Sequence, residues 1–438
     1  MQFLCFCRKR RQSSGDKATT TTSWNDLLTC QGLDLWNIRL QTLLLGTRVK
    51  LPIHREKNPK NTYVCVLSSI SDFETLEQHH GMDKFPNHKN DSSAVFPLTQ
   101  CTGDEWIRQR QTVKQAFFEI PQRSLEAVEP VNFDRILPDK SKKKIIDLKQ
   151  VCVNASLRWV VRLFLGQDDL KLENAFHCFW KHNRAKNKCQ KSIIKARQAL
   201  IASMVVWDGG VLQSLANEFA SSSRRPDDDA VAKANAVNAM IAAHDAAQSL
   251  LFWTLWNIAR TNGAWNSCRN EQDNTNLTQD LETIASLKQQ ATQGRTDIVY
   301  GTSLSYLGRA LMETVRVYPP VWTLPRTWPL EQEAEDACVV AAKLDVPTTN
   351  QVVLDRDSSW NPDDTTTERT IASFGVGKRH CPAGTAALYA VYTLLQKFIR
   401  TYGIQECDTD HALRSVYLGP TLCVEGPQLF HICAYEQQ

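Results

Sequence analysis

Apolar side chains recur every three or four residues through most of this chain, the spacing of one helical face after another. From Asp104 the segment GDEWIRQRQTVKQAFF puts Trp106, Arg110 and Val113 on one face. The run IIDLKQVCVNASLRWVVRLFLG predicts an apolar helix that stops at Gly166. A third helical stretch, SIIKARQALIASMVVWDGGVLQSLANEFA, is broken at Gly209-Gly210. The next, AVAKANAVNAMIAAHDAAQSLLFWTLWNIAR, is built almost wholly of helix formers and is apolar on most sides. A helix of that kind runs through the middle of a domain rather than over its surface. YGTSLSYLGRALMETVRVYPP predicts another helix, stopped by Pro319-Pro320. TAALYAVYTLLQKFI predicts a last one, ending near Gly403. Strand signals are fewer: CVVAAKLDVP, QVVLD, and a terminal hairpin in VYLGPTLCV. The expected fold is mainly α, one domain over residues 26–438 with a small β-rich lobe supplied by the two ends. Residues 1–25 are polar and rich in Thr and Ser, a disordered leader.

Composition narrows the function classes. A net charge of +4 and a pI near 8.3 lack the strong basic excess of a nucleic-acid binder. The 14 cysteines are scattered, with no CxxC pair, which disfavours a zinc site built on paired thiols. No transmembrane span or signal peptide is evident, so a cytoplasmic or peripherally membrane-associated protein is expected. Cys5 and Cys7 stand beside Arg8-Lys9-Arg10-Arg11, and acylation there would hold the leader at an anionic membrane.

One cysteine has unusual neighbours. SFGVGKRHCPAG, Ser373–Gly384, sets Cys381 among glycines, two positions after Arg379 and at the mouth of a helix. Glycines let backbone N–H groups turn toward a sulfur, and a helix N-terminus favours its anionic form. Pro382 fits the first helical position. Such a thiolate suits a nucleophile or a metal ligand. A nucleophile needs a base in reach, and adjacent His380 does not face it. A lone thiolate on a haem iron needs neither base nor second cysteine.

Phe374-Gly375-Val376-Gly377-Lys378-Arg379-His380-Cys381 resembles the FxxGxRxC haem loop of the cytochrome P-450 family. Ala383 stands where that family most often has glycine. Three further features fall in the family's order. Glu313 and Arg316, one helical turn apart, resemble its ExxR pair; taken alone they would be an ordinary surface ion pair. Trp106 and Arg110 match WxxxR, and Arg326 in TLPRTW matches a further propionate partner. The resemblance runs from roughly residue 30 to the C-terminus. It implies one cytochrome P-450 fold, a helical core enclosing haem b (iron protoporphyrin IX), with Cys381 as the axial iron ligand. It also implies that Arg110, Arg326 and Arg379 clamp haem propionates beside Trp106 and Phe374. A buried Glu313–Arg316 pair would lock the fold, with Arg369, or else Arg356, as its third partner.

The long central helix departs from the family. The usual glycine, acid and threonine are here Ala243, Asp245 and Ala246. Oxygen activation consumes protons, which the threonine hydroxyl normally helps to relay. With Ala246 the relay falls to Asp245, to His244, to water or to a substrate hydroxyl. His244 reads first as a helix-face residue turned away from the haem. Two enzyme readings follow: a monooxygenase with an altered relay, or a peroxygenase or isomerase that takes a preformed peroxide. A non-catalytic haem-binding protein is the alternative from another class.

By the same resemblance, the substrate pocket involves Phe96, Ala239, Ala242, Ala243, Val321, Trp322, Leu324 and Leu418. Those mostly small or apolar residues suit a lipid-like or terpenoid-like natural-product substrate, oxidised with O2. Electrons would come from NADPH through a cytochrome P-450 reductase or a ferredoxin-type donor. Lys114 and Lys378 are candidates for contact with an acidic partner of this kind.

Overall fold

The computed structural model describes residues 48–55, 58–67, 97–101, 103–137, 144–184, 190–204, 210–222, 225–272, 277–295, 297–321, 323–328, 338–343, 360–369, 371, 373–407, 416–418, 421–424 and 426–434. Two antiparallel strands come first, β1 (Arg48–Arg55) and β2 (Asn58–Leu67). Helices α1 (Gly103–Ala116) and α2 (Ile120–Val128) precede strand β3 (Lys144–Asp147). The helical body follows: α3 (Leu148–Leu165), α4 (Leu170–Arg184), α5 (Gln190–Ser203), α6 (Val211–Ser222), α7 (Asp228–Arg260), α8 (Ala264–Gln272), α9 (Leu277–Thr292) and α10 (Tyr306–Val317). Strands β4 (Thr323–Trp328) and β5 (Cys338–Lys343) come next, then α11 (Gly384–Thr401), β6 (Tyr402–Glu406), β7 (Val416–Leu418), β8 (Leu422–Val424) and β9 (Leu429–Ala434). The protein is mainly helical.

The sheets join distant segments. One has the order β1-β2-β5-β4, so it unites residues near 60 with residues near 340; another, β3-β9-β6, is antiparallel throughout. β7 and β8 form the terminal hairpin expected from the sequence.

The 33-residue α7 is the central element, packed against α3, α6, α10 and α11. Leu251, Phe252, Trp253, Leu255 and Trp256 along its second half are all buried, which accounts for the near absence of a polar face there. Thr254 and Asn257 tolerate that burial by bonding carbonyls of their own helix at 2.7 Å each. Trp253 stacks on Tyr318, just past α10, with ring centres 4.6 Å apart and planes 12° from parallel. Such a pair adds about 1 kcal/mol beyond the area it buries.

The helix ends follow local chemistry, with three departures from the sequence-based expectation. Gly166 closes α3 at φ 78°, the left-handed turn that glycine adopts without strain. The start of α3 differs: Ile145 and Ile146 belong to β3, because that segment pairs with β9 and Asp147 caps the helix by accepting from the Lys149 N–H at 3.1 Å. Residues 300–304 are not helical either, since Ser305 caps α10 through the Gly308 N–H at 3.1 Å. Pro382 lies in a turn and not at the first helical position; α11 starts at Gly384 behind Ala383. Among the described residues no helix is long and apolar enough to cross a membrane.

Candidate functional site

The loop before α11 is drawn into a tight hook. Gly375 and Gly377 both sit at φ 68°, a backbone conformation that side chains disfavour. The hook closes where the Cys381 N–H donates to the Phe374 carbonyl at 2.7 Å. His380 does not face the thiol as a base would: its Nδ1 lies 2.7 Å from the Gly377 carbonyl. Its burial lowers its affinity for a proton, although that carbonyl works the other way. Gly384 is needed for space rather than for torsion. A Cβ there would come within 2.8 Å of both Phe374 Cδ1 and Lys288 Cε. Ala383, by contrast, has an ordinary φ of −107°, so alanine fits that position.

α1 brings a second group to the loop. Arg110, buried on α1, donates from Nη2 to the His380 carbonyl at 2.6 Å. The Arg379 guanidinium lies 4.2 Å from the centre of the Trp106 ring. Burial, reinforced by the charge of Arg379, pushes the Arg110 proton affinity down, and proximity to the Cys381 sulfur partly restores it. Among the described residues no carboxylate pairs with Arg110. A buried guanidinium without a counter-ion is costly, so the place favours an anionic ligand. Lys288 on α9 is buried nearby, and burial likewise lowers its proton affinity.

Cys381, Phe374, Arg379, Trp106 and Arg110 all line one cavity of about 350 Å3. Ala239, Ala242, Ala243 and Ala246 of α7 line it as well, as does Val321. Small side chains form one wall and a thiol with two guanidiniums lies on another, which suits a largely apolar ligand with an anionic end.

Two residues expected to move protons stand elsewhere. His244 and Asp245 are buried and are not among the described residues lining the cavity. His244 Nδ1 lies 2.9 Å from Ser156 Oγ on α3, and its ring meets Phe176 and Trp180 edge to face. Asp245 Oδ1 accepts from the Trp180 indole N–H at 2.5 Å, so it is turned toward α4.

The structure brings Glu313, Arg316 and Arg369 together. Glu313 is fully buried on α10 and takes two bonds from Arg316, at 2.9 and 2.7 Å. Arg369 Nε lies 3.2 Å from its Oε2. Tyr300 donates to the same carboxylate at 2.9 Å and the Asn361 N–H at 3.1 Å. A short antiparallel bridge between Ile298 and Arg369 delivers the arginine to this point.

Phe96, Trp322, Arg356, Cys5, Cys7 and the leader lie outside the described residues. Leu324 and Arg326 stand on β4, and Leu418 on β7; their side chains lie outside the described part as well. Lys114 and Lys378 are exposed. Lining residues that sequence reasoning missed include Thr99, Asn235 and Asn238. The signal for the two asparagines was their i, i+3 spacing inside an otherwise apolar helix, one and two turns before Ala242. No protein-family model matches the chain, and no curated protein matches it.

Proposed function

We propose that this protein is a haem-thiolate monooxygenase of the cytochrome P-450 kind that hydroxylates a largely apolar small organic molecule, lipid-like or terpenoid-like. Electrons would pass from NADPH through a separate reductase or a ferredoxin-type donor. The observation that carries the reading is the shared cavity: one thiol, two guanidiniums and an alanine-lined helix border the same space. These residues fit haem b. Cys381 offers one soft anionic ligand, Arg110 and Arg379 offer charge for propionates, and the alanines leave room for a macrocycle.

Haem bound there would supply the redox-active iron that activates oxygen. The chain's own residues bind, orient and exclude water. Trp106 under Arg379 fixes that guanidinium over the cavity edge. The bond from Arg110 to the His380 carbonyl ties α1 to the cysteine loop, so both cationic groups move with the thiol. Ala239, Ala242, Ala243 and Val321 offer the substrate an apolar wall. Ala246 has no hydroxyl to hold a proton, so water or a hydroxyl of the substrate takes that role.

One observation favours a second reading, an enzyme that takes a preformed peroxide. The cavity face of α7 is alanine at positions 242, 243 and 246, while Asp245 bonds Trp180. Chemistry that begins from a peroxide needs no relay for dioxygen cleavage.

The test is spectroscopic first. The haem-loaded, reduced protein should give a Soret band at long wavelength with carbon monoxide, and Cys381→Ala should lose it. Survival of that band in the variant would refute thiolate ligation. Turnover of a terpenoid and fatty-acid panel is then compared with NADPH plus reductase and with peroxide alone. Product only in the peroxide arm would replace the monooxygenase by the second reading.

A further inference from the structure

The cavity has one polar feature that the proposed chemistry does not use. Its described lining is apolar apart from the groups at the cysteine loop and a cluster of Thr99, Asn235 and Asn238. Most of those polar groups are already engaged. Asn235 accepts the Leu98 N–H at 2.8 Å and donates to Gln109 Oε1 at 2.9 Å and to the Val231 carbonyl at 3.0 Å. Ser373 gives its hydroxyl to the Val315 carbonyl at 2.5 Å. Arg110 bonds the His380 carbonyl, and Arg379 covers Trp106.

Asn238 is different. Its Oδ1 accepts from the Thr99 hydroxyl at 3.0 Å, which fixes the carboxamide plane. Among the described residues no acceptor takes its Nδ2. A primary amide carries two N–H donors, and part-buried Asn238 lines the cavity beside exposed Thr99, so a ligand lying over it has to replace the water at the second donor. Asn238 also has a set height. It stands eight residues before Ala246 on a continuous helix, about 12 Å of axial rise. Such an anchor would therefore grip a molecule far from the end that is oxidised.

We infer that Asn238 is a specificity residue, and that the substrate is a largely apolar molecule with a hydrogen-bond-accepting oxygen, a ketone or ester carbonyl, at the end remote from the oxidised carbon. Thr99 is its positioning residue. This inference rests on the proposed haem-thiolate reading.

Because azoles ligate haem iron, they fix one end of a probe and leave the other to report. The haem-loaded protein is titrated with 1-alkylimidazoles and with imidazolyl-alkan-2-ones of matched length, from about four to about twelve carbons to cover the rise from Ala246 to Asn238. Soret shifts give the affinities. One ketone length should bind about fivefold tighter than its hydrocarbon partner, the usual effect of one neutral hydrogen bond. Asn238→Leu, close in volume, should erase that gain, so that ketone and alkyl probes of each length bind alike whatever the variant does to the alkyl series itself. Thr99→Val should reduce the gain without erasing it. A ketone gain that survives in Asn238→Leu overturns the inference, as does its absence at every length in the wild type, with azole binding intact in both cases. No Soret shift with any azole would instead overturn the cofactor reading beneath it, and this inference with it.

Discussion

Glu313 shows how much one side chain can hold. It is wholly buried, yet it meets two guanidiniums, a phenol and a backbone N–H. Removing it takes the nearest carboxylate from part-buried Arg316 and from buried Arg369, which keeps only its longer contact to Asp364 at 3.4 Å. Breaking a buried pair in this way costs up to about 3–5 kcal/mol, because the charge left behind has lost its nearest partner where water does not reach. Glu313→Ala should therefore unfold at a markedly lower denaturant midpoint, whereas Tyr300→Phe should lose only about 1 kcal/mol. A Glu313→Ala midpoint equal to that of the wild type would show that the cluster carries no stability. Glu313 and Arg316 were legible in the sequence only through their resemblance to a family motif, since one helical turn of spacing alone marks an ordinary surface ion pair. Arg369 was legible as a basic residue ahead of the cysteine loop. Tyr300 and Asn361 were not: the bridge from Ile298 to Arg369 brings them in, and no local pattern announces a bridge across some seventy residues.

Elements carry the next level of control, and α1 is the clearest case, since it presents both Trp106 and Arg110. Its first turn is pinned by charge. Glu105 accepts two bonds from Arg108, which reaches Asp228 at the start of α7 at 3.2 Å. Burial alone would push the Glu105 carboxyl up, but the bonds from Arg108 and Gln109 outweigh it and hold the carboxyl below its usual value of 4.5. The folded chain thus binds this proton less readily than the unfolded one. The contribution is present above the unfolded value and is lost as the pH falls through the folded one. Glu105→Gln should accordingly melt lower than the wild type at neutral pH and show a flatter acid limb, the two curves converging as the pH falls below about 4.5. An acid limb as steep as that of the wild type would mean that Glu105 does not hold α1 in place. The long helices were legible from apolar spacing, and α7 most plainly. The β3 segment was not, because Ile145-Ile146 continues the apolar run of α3; only its partner β9, nearly three hundred residues on, makes it a strand.

At the scale of the molecule, a cavity of about 350 Å3 bordered by a buried Arg110 couples stability to ligand binding. A ligand that binds only the folded state stabilises it by mass action. Free haemin at about a thousand times its Kd adds about 4 kcal/mol. Wild-type melting temperature should climb with haemin concentration, and the Arg110→Gln, Arg379→Gln double variant should climb much less. A wild type indifferent to haemin would remove the cofactor from the proposal. The mainly helical character of the chain was legible. The four-stranded sheet was only partly so, because its pairing of residues near 60 with residues near 340 is a long-range contact that no local pattern announces.

The crowding at Gly384 bears on how this sequence can change over time. The place a methyl would occupy is already taken by the Phe374 ring and the Lys288 stem, each 2.8 Å away. Neither the glycine nor the ring can drift alone. A larger residue at 384 becomes tolerable only once 374 has shrunk, and a smaller residue at 374 opens a gap that 384 cannot close by itself. Selection from random libraries should therefore recover changes at these two positions together, as linked substitutions on either side of the thiol.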